Sequence, residues 1–90
     1  MSDLHLNLKS EYYEQIATGE KEWEYRLYND YWKKRLVGKS FDKILVKRGY
    51  PKRDDMENQM IRPWNGYIIE EIVHPHFHNK SVTVFAIKVN

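Results

Sequence analysis

Gly19-Glu20-Lys21-Glu22-Trp23-Glu24-Tyr25-Arg26 is the stretch whose reading decides the fold. Trp23, Tyr25 and Leu27 alternate with Glu22, Glu24 and Arg26, and this period of two predicts a half-buried strand over 21–28. The charges are unusual for such a strand. Lys21 opens the apolar row, while Glu24 and Arg26 follow one another on the opposite row. An ammonium, a carboxylate and a guanidinium so close together hold a small polar ligand, or else form a solvated ion pair.

Outward from this strand, Leu4, Leu6 and Leu8 alternate with His5, Asn7 and Lys9, which predicts a first strand over 3–8. Ser10 is placed to cap a short helix carrying Tyr13, Ile16 and Ala17 on one face, and Gly19 to stop it. Asn29-Asp30 supplies the cap of a second helix over 31–37, ended by Gly38. A third strand covers 41–48, with Ile44 and Val46 on one face and Lys43, Leu45 and Lys47 on the other. Gly49-Tyr50-Pro51 breaks it. The segment 52–58 has almost no apolar content and reads as a mobile surface loop. Arg62-Pro63-Trp64-Asn65-Gly66 reads as a turn leading into a strand over 67–73. The closing strand, 81–89, is apolar on both faces and therefore belongs in the middle of a sheet.

Ninety residues make one domain, spanning 1–90. The three Trp, seven Tyr and three Phe allow a small core to be filled by few side chains. About five short strands and two short helices give the α+β class, with a small, partly closed β-barrel whose openings the helices cover. An open α+β sandwich is the competing architecture. The absence of cysteine excludes disulfides, a thiolate nucleophile and a zinc–thiolate site, and it fits a reducing, cytoplasmic setting. No apolar run reaches the roughly 20 residues of a membrane helix, and the start of the chain lacks a signal-peptide pattern. A soluble intracellular domain with no membrane partner and no cofactor is expected.

A formal net charge of +2 hides a segregation of charge. Residues 33–53 carry nine Lys/Arg against the single acid Asp42, whereas residues 11–30 carry six acids against Lys21 and Arg26. Such a basic segment is the footprint of a polyanion binder, or an ordinary solvated surface.

The run Leu6-x-Leu8-Lys9, a short helix, then Gly19-x-Lys21-x-x-Glu24-x-Arg26 resembles the signature of the ASCH domain, a relative of the PUA-like barrels. The resemblance extends through Tyr31-Trp32-x-x-Arg35-Leu36, Arg48-Gly49-Tyr50 and the final strand, and so covers nearly the whole chain. It implies a PUA-like mixed β-barrel with a cleft beside the Gly-x-Lys-x-x-Glu-x-Arg strand, and a role in binding or processing RNA. Members are linked to RNA binding, to ribonuclease activity and to hydrolysis of N4-acetylcytidine. In the amidohydrolase branch the lysine matching Lys21 is catalytic, and that branch carries Thr where this chain has Glu24.

The residues themselves suggest the following chemistry. An amine at Lys21 among apolar neighbours is a nucleophile or general base, or else a side chain reaching from the barrel mouth to water. Glu24 is a base or an orienting group for Lys21 or Arg26. The planar fork of Arg26 suits a phosphate or carboxylate. Arg48 shares a face with Ile44 and Val46 and needs a partner, either Glu24 or an anionic ligand. Gly49 permits close backbone approach, and Tyr50 offers a stacking platform or, with Lys21 and Glu24, a catalytic hydroxyl. Lys9 points toward the same mouth. Arg35, Lys47, Lys52 and Arg53 belong to the basic segment that would hold phosphates.

His74, His76 and His78 alternate, yet neighbouring positions on one extended segment rarely converge on a metal, and no metal site is expected. Ser10 and Ser40 lack the context of a serine nucleophile. The leading expectation is an RNA-interacting ASCH domain that binds single-stranded RNA or a nucleotide beside the Lys21–Arg26 strand. The alternatives are a hydrolase, either a ribonuclease or an amidohydrolase on N4-acetylcytidine-type nucleosides, and a protein-interaction module with an apolar patch around Trp64 and Tyr67.

Overall fold

A computed structural model describes residues 2–75 and 78–90. The elements run β1 (Leu4–Leu8), α1 (Ser10–Ala17), β2 (Trp23–Leu27), α2 (Asp30–Leu36), β3 (Lys43–Arg48), a 3-10 turn (Met56–Asn58), β4 (Gln59–Pro63), β5 (Tyr67–Val73) and β6 (Ser81–Lys88). The chain is α+β, as expected. Its six strands form two three-stranded sheets, ordered β1-β3-β4 and β2-β6-β5, and they do not close into a barrel.

β1 and β3 pair in parallel, and every other ladder is antiparallel. The period-two rows then determine the core. Leu4, Leu6 and Leu8 of β1 and Ile44 and Val46 of β3 turn to the same side, where they meet Phe85 and Ile87 of β6, Tyr13 and Ile16 of α1, and Leu36 of α2. β6 is central in its sheet, which accounts for its apolar residues on both faces: Val84, Phe85, Ala86 and Ile87 are all fully buried.

Several local expectations are corrected. Ser10 is the first helical residue rather than the cap. Lys9 takes the cap position and makes no side-chain cap bond, while the Ser10 hydroxyl accepts a hydrogen bond from Arg48 Nη1 at 3.2 Å. Asn29 does cap α2, accepting from the Trp32 amide at 2.9 Å. Residues 62–63 were expected to belong to a turn and 59–61 carried no assignment, but together they form the edge strand β4. Only Met60 and Ile61 there are apolar, too few to give a period, and Pro63 is tolerated because it ends an edge strand. The segment 52–58 is tied down by Gln59, whose side-chain amide donates to the carbonyls of Lys52, Arg53 and Asp55 at 3.1, 3.2 and 3.0 Å.

Trp64 and Tyr67 do not make an exposed patch. Both pack against the core, Trp64 edge-on to Phe41 and Tyr67 edge-on to Phe85, with ring centroids 4.9 and 5.0 Å apart. Among the described residues no helix is long and apolar enough to cross a membrane.

Candidate functional site

The register of β2 sets Glu24 opposite Ile87 and Arg26 opposite Phe85, so the charged row shares the core face of β6, while Trp23 and Tyr25, both half-buried, and the exposed Leu27 take the other row. Glu24 is 5 % exposed, the one buried charged residue among those described. Burying a carboxylate is costly unless it is paired and hydrogen-bonded, and Glu24 is both. Lys21 Nζ lies 3.5 Å from its Oε1, and Arg26 Nη1 donates to its Oε2 at 2.5 Å. On that other row Lys88 covers the Trp23 ring at 4.9 Å, which shields the half-buried indole.

The place of this row explains the site. β1 is the edge of one sheet and β2 the edge of the other, and the two meet without a ladder between them. The seam is bridged by a side chain instead. Arg26 Nη2 donates to the Asn7 carbonyl of β1 at 3.3 Å, while Nη1 reaches Glu24 and the Tyr25 carbonyl at 3.2 Å. A cavity of about 310 Å³ opens along this seam. Lys9, Lys21 and Arg26 give it three cations against Glu24, and Tyr12, Tyr25 and Trp32 give it aromatic walls. His74 also lines it.

Each cation is held differently. Lys21 sits between two rings, 5.4 Å from the centroid of Tyr12 and 5.3 Å from that of Tyr25. Its backbone is fixed by Asn90, whose side-chain amide donates to the Lys21 carbonyl at 2.7 Å and to the Ile16 carbonyl at 2.8 Å. The Arg26 guanidinium lies 5.3 Å from the Trp32 ring. Lys9 is exposed and has no acidic partner among the described residues. Burial, with a smaller push from Glu70, raises the Tyr25 hydroxyl above its ordinary pKa of 10.0, so this wall stays neutral well past neutrality.

Of the residues singled out from the sequence, Lys9, Lys21, Glu24 and Arg26 converge on this cavity. Arg48 does not. It bonds to Glu14 and Ser10 of α1 and stacks at 4.8 Å on Tyr13, so its partner is neither Glu24 nor an open anion site. The packing of α1 against β3, which periodicity does not reveal, decides this. Tyr13, so packed, has its hydroxyl pKa raised by burial, with Arg48 opposing the rise.

Gly49 has a positive φ of 64°, and a Cβ there would meet nothing within 4 Å. It serves the turn rather than a close approach. Tyr50 and Arg35 lie in a second hollow, apart from Lys21 and Glu24. Lys47 is on the outer row of β3, and Lys52 and Arg53 are exposed on the 52–58 segment. Lys43, also in the basic run, is offset by Asp3 at 3.6 Å. No group of three metal-binding side chains occurs among the described residues, and His76 of the histidine cluster lies outside them.

Asn7, Tyr12 and Trp32 also line this cavity, and the sequence does not single them out for it. Asn7 carried one faint signal, a polar residue on the outward row of an edge strand. Trp32 reads as core and is core in part, yet one side of it forms cavity wall. No family model matches this chain, and neither a curated protein nor a solved structure matches it.

Proposed function

We propose that this chain is an RNA-interacting module of the ASCH kind, which binds a nucleotide or single-stranded RNA in the cavity between β1 and β2. The observation that carries the proposal is the pairing of three cations, against one buried carboxylate, with three aromatic walls in a cavity of about 310 Å³. That volume lies at the small end of the roughly 300–1,000 Å³ of ligand sites. Cations for phosphate and rings for a base are the two parts of sequence-tolerant single-strand binding.

The same geometry favours binding over hydrolysis of RNA or of N4-acetylcytidine. Both oxygens of Glu24 are engaged, one by Lys21 and one by Arg26, so no carboxylate stands open to accept a proton. The test is anisotropy of a labelled oligouridylate over a range of salt. With about three phosphate contacts the log–log slope is expected near −2. A flat dependence, or no binding at low salt, refutes the proposal. Product formed from either substrate, and lost in Lys21→Ala, replaces it with the hydrolase.

A further inference from the structure

The seam cavity has a neighbour. A second hollow, of about 470 Å³, shares Asn7, Arg26 and Trp32 with it and continues past them to Tyr31, Phe41 and Tyr50. Four aromatic side chains and Arg35 line this space. Its one acid, Asp3, is offset by Lys43 at 3.6 Å.

We propose that this second hollow is a base-stacking subsite, so that the site takes two successive nucleotides of a single strand rather than one nucleotide; this rests on the nucleotide-binding reading of the first cavity. Three features carry it. Arg35 lies over Tyr31, its guanidinium carbon 3.5 Å from the ring centroid, and its Nη1 donates to the Tyr31 carbonyl at 3.3 Å. The pair is preassembled and charged, and Arg35 has no carboxylate partner among the described residues.

Tyr50 is 92 % exposed, more than any other large apolar or aromatic residue described. Its turn is nonetheless pinned at both faces of Gly49, whose amide donates to the Leu8 carbonyl at 2.8 Å and whose carbonyl accepts from Asn7 Nδ2 at 2.7 Å. A ring held out in water on a fixed turn needs little ordering to stack on a base. Arg26, on the wall common to both hollows, places one guanidinium where a strand crossing from the first to the second would carry its phosphate.

The experiment compares uridine 5′-monophosphate with the dinucleotide pUpU by titration calorimetry on the full chain. pUpU is expected to bind on the order of ten-fold tighter, the gain of one stacked base. Tyr50→Ala is expected to remove that gain and leave the mononucleotide affinity in place, and Arg35→Gln to reduce it. Equal affinities for the two ligands overturn the second subsite alone. A gain that survives both substitutions overturns it too. Failure of both ligands to bind removes the reading of the first cavity along with it. A hexaglutamate peptide that competes as well as pUpU, and depends equally on Tyr50, overturns the assignment to nucleic acid.

Discussion

Glu24 and Lys9 line the same cavity in contrasting ways, one buried between two cations and the other exposed with no acidic partner among the described residues. Glu24→Gln removes the charge that both Lys21 and Arg26 face, and it leaves two half-buried cations without compensation. Breaking a buried ion pair from one side costs about 3 kcal/mol, and urea unfolding is expected to show a loss of that order. Lys9→Ala removes a side chain that makes no cap bond and has no acidic partner among the described residues. Its stability is expected to stay within about 0.5 kcal/mol of the parent, while the salt slope of RNA binding falls in magnitude by about 0.7. The tyrosines add a dependence on pH. Tyr13 and Tyr25 both have hydroxyl pKa values raised by burial above 10.0. A group with a raised folded pKa lends its stability fully below the unfolded value and loses it as pH climbs through the folded one. Stability is therefore expected to decline above about pH 10, and the decline to be shallower in the double variant Tyr13→Phe, Tyr25→Phe.

At the scale of elements, most of the fold was legible because each element carries its own punctuation. Gly19 ends α1 with a φ of 82°, Asn29 opens α2, the alternation of β1 and β3 names their faces, and the two apolar faces of β6 mark it as central. β4 was not legible, because five residues with two apolar side chains and a proline carry no period. β2 was legible as a strand but not in its orientation. Hydrophobicity alone gives the core face to the aromatic row, whereas the register with β6 gives that face to Glu24 and Arg26. α2 shows how an element serves the site. Its cap fixes the helix that presents Trp32 to both hollows and Arg35 to the second. Asn29→Ala is expected to cost about 1 kcal/mol by thermal or urea unfolding, and to weaken pUpU binding more than binding of the mononucleotide. Equal weakening of both would place the helix outside the second subsite.

At the scale of the molecule, the site exists because two sheets stop short of joining. An order of β1-β3-β4 beside β2-β6-β5 leaves β1 and β2 each at an edge of its sheet, and edges expose unpaired amides and carbonyls. Nothing in the periodicity of either strand states that they will be neighbours without a ladder, so the clustering of Lys21, Glu24 and Arg26 was legible and the seam beside it was not. Arg26 spans that seam with hydrogen bonds to Glu24, to the Tyr25 carbonyl and to the Asn7 carbonyl on the opposite strand. A lysine keeps the charge but has one nitrogen at the end of a flexible stem, and it cannot reach across the seam while holding Glu24. Arg26→Lys is therefore expected to lower stability by about 2 kcal/mol, the scale of a lost hydrogen bond from a charged group. The loss has an expected location as well as a size. Amide hydrogen exchange should quicken along β1 and β2, the two edges at the seam, while β6 at the centre of its sheet keeps its protection. Uniform acceleration over both sheets would show that Arg26 supports the core as a whole, and unchanged exchange at β1 would show that the bond to Asn7 does not hold the seam.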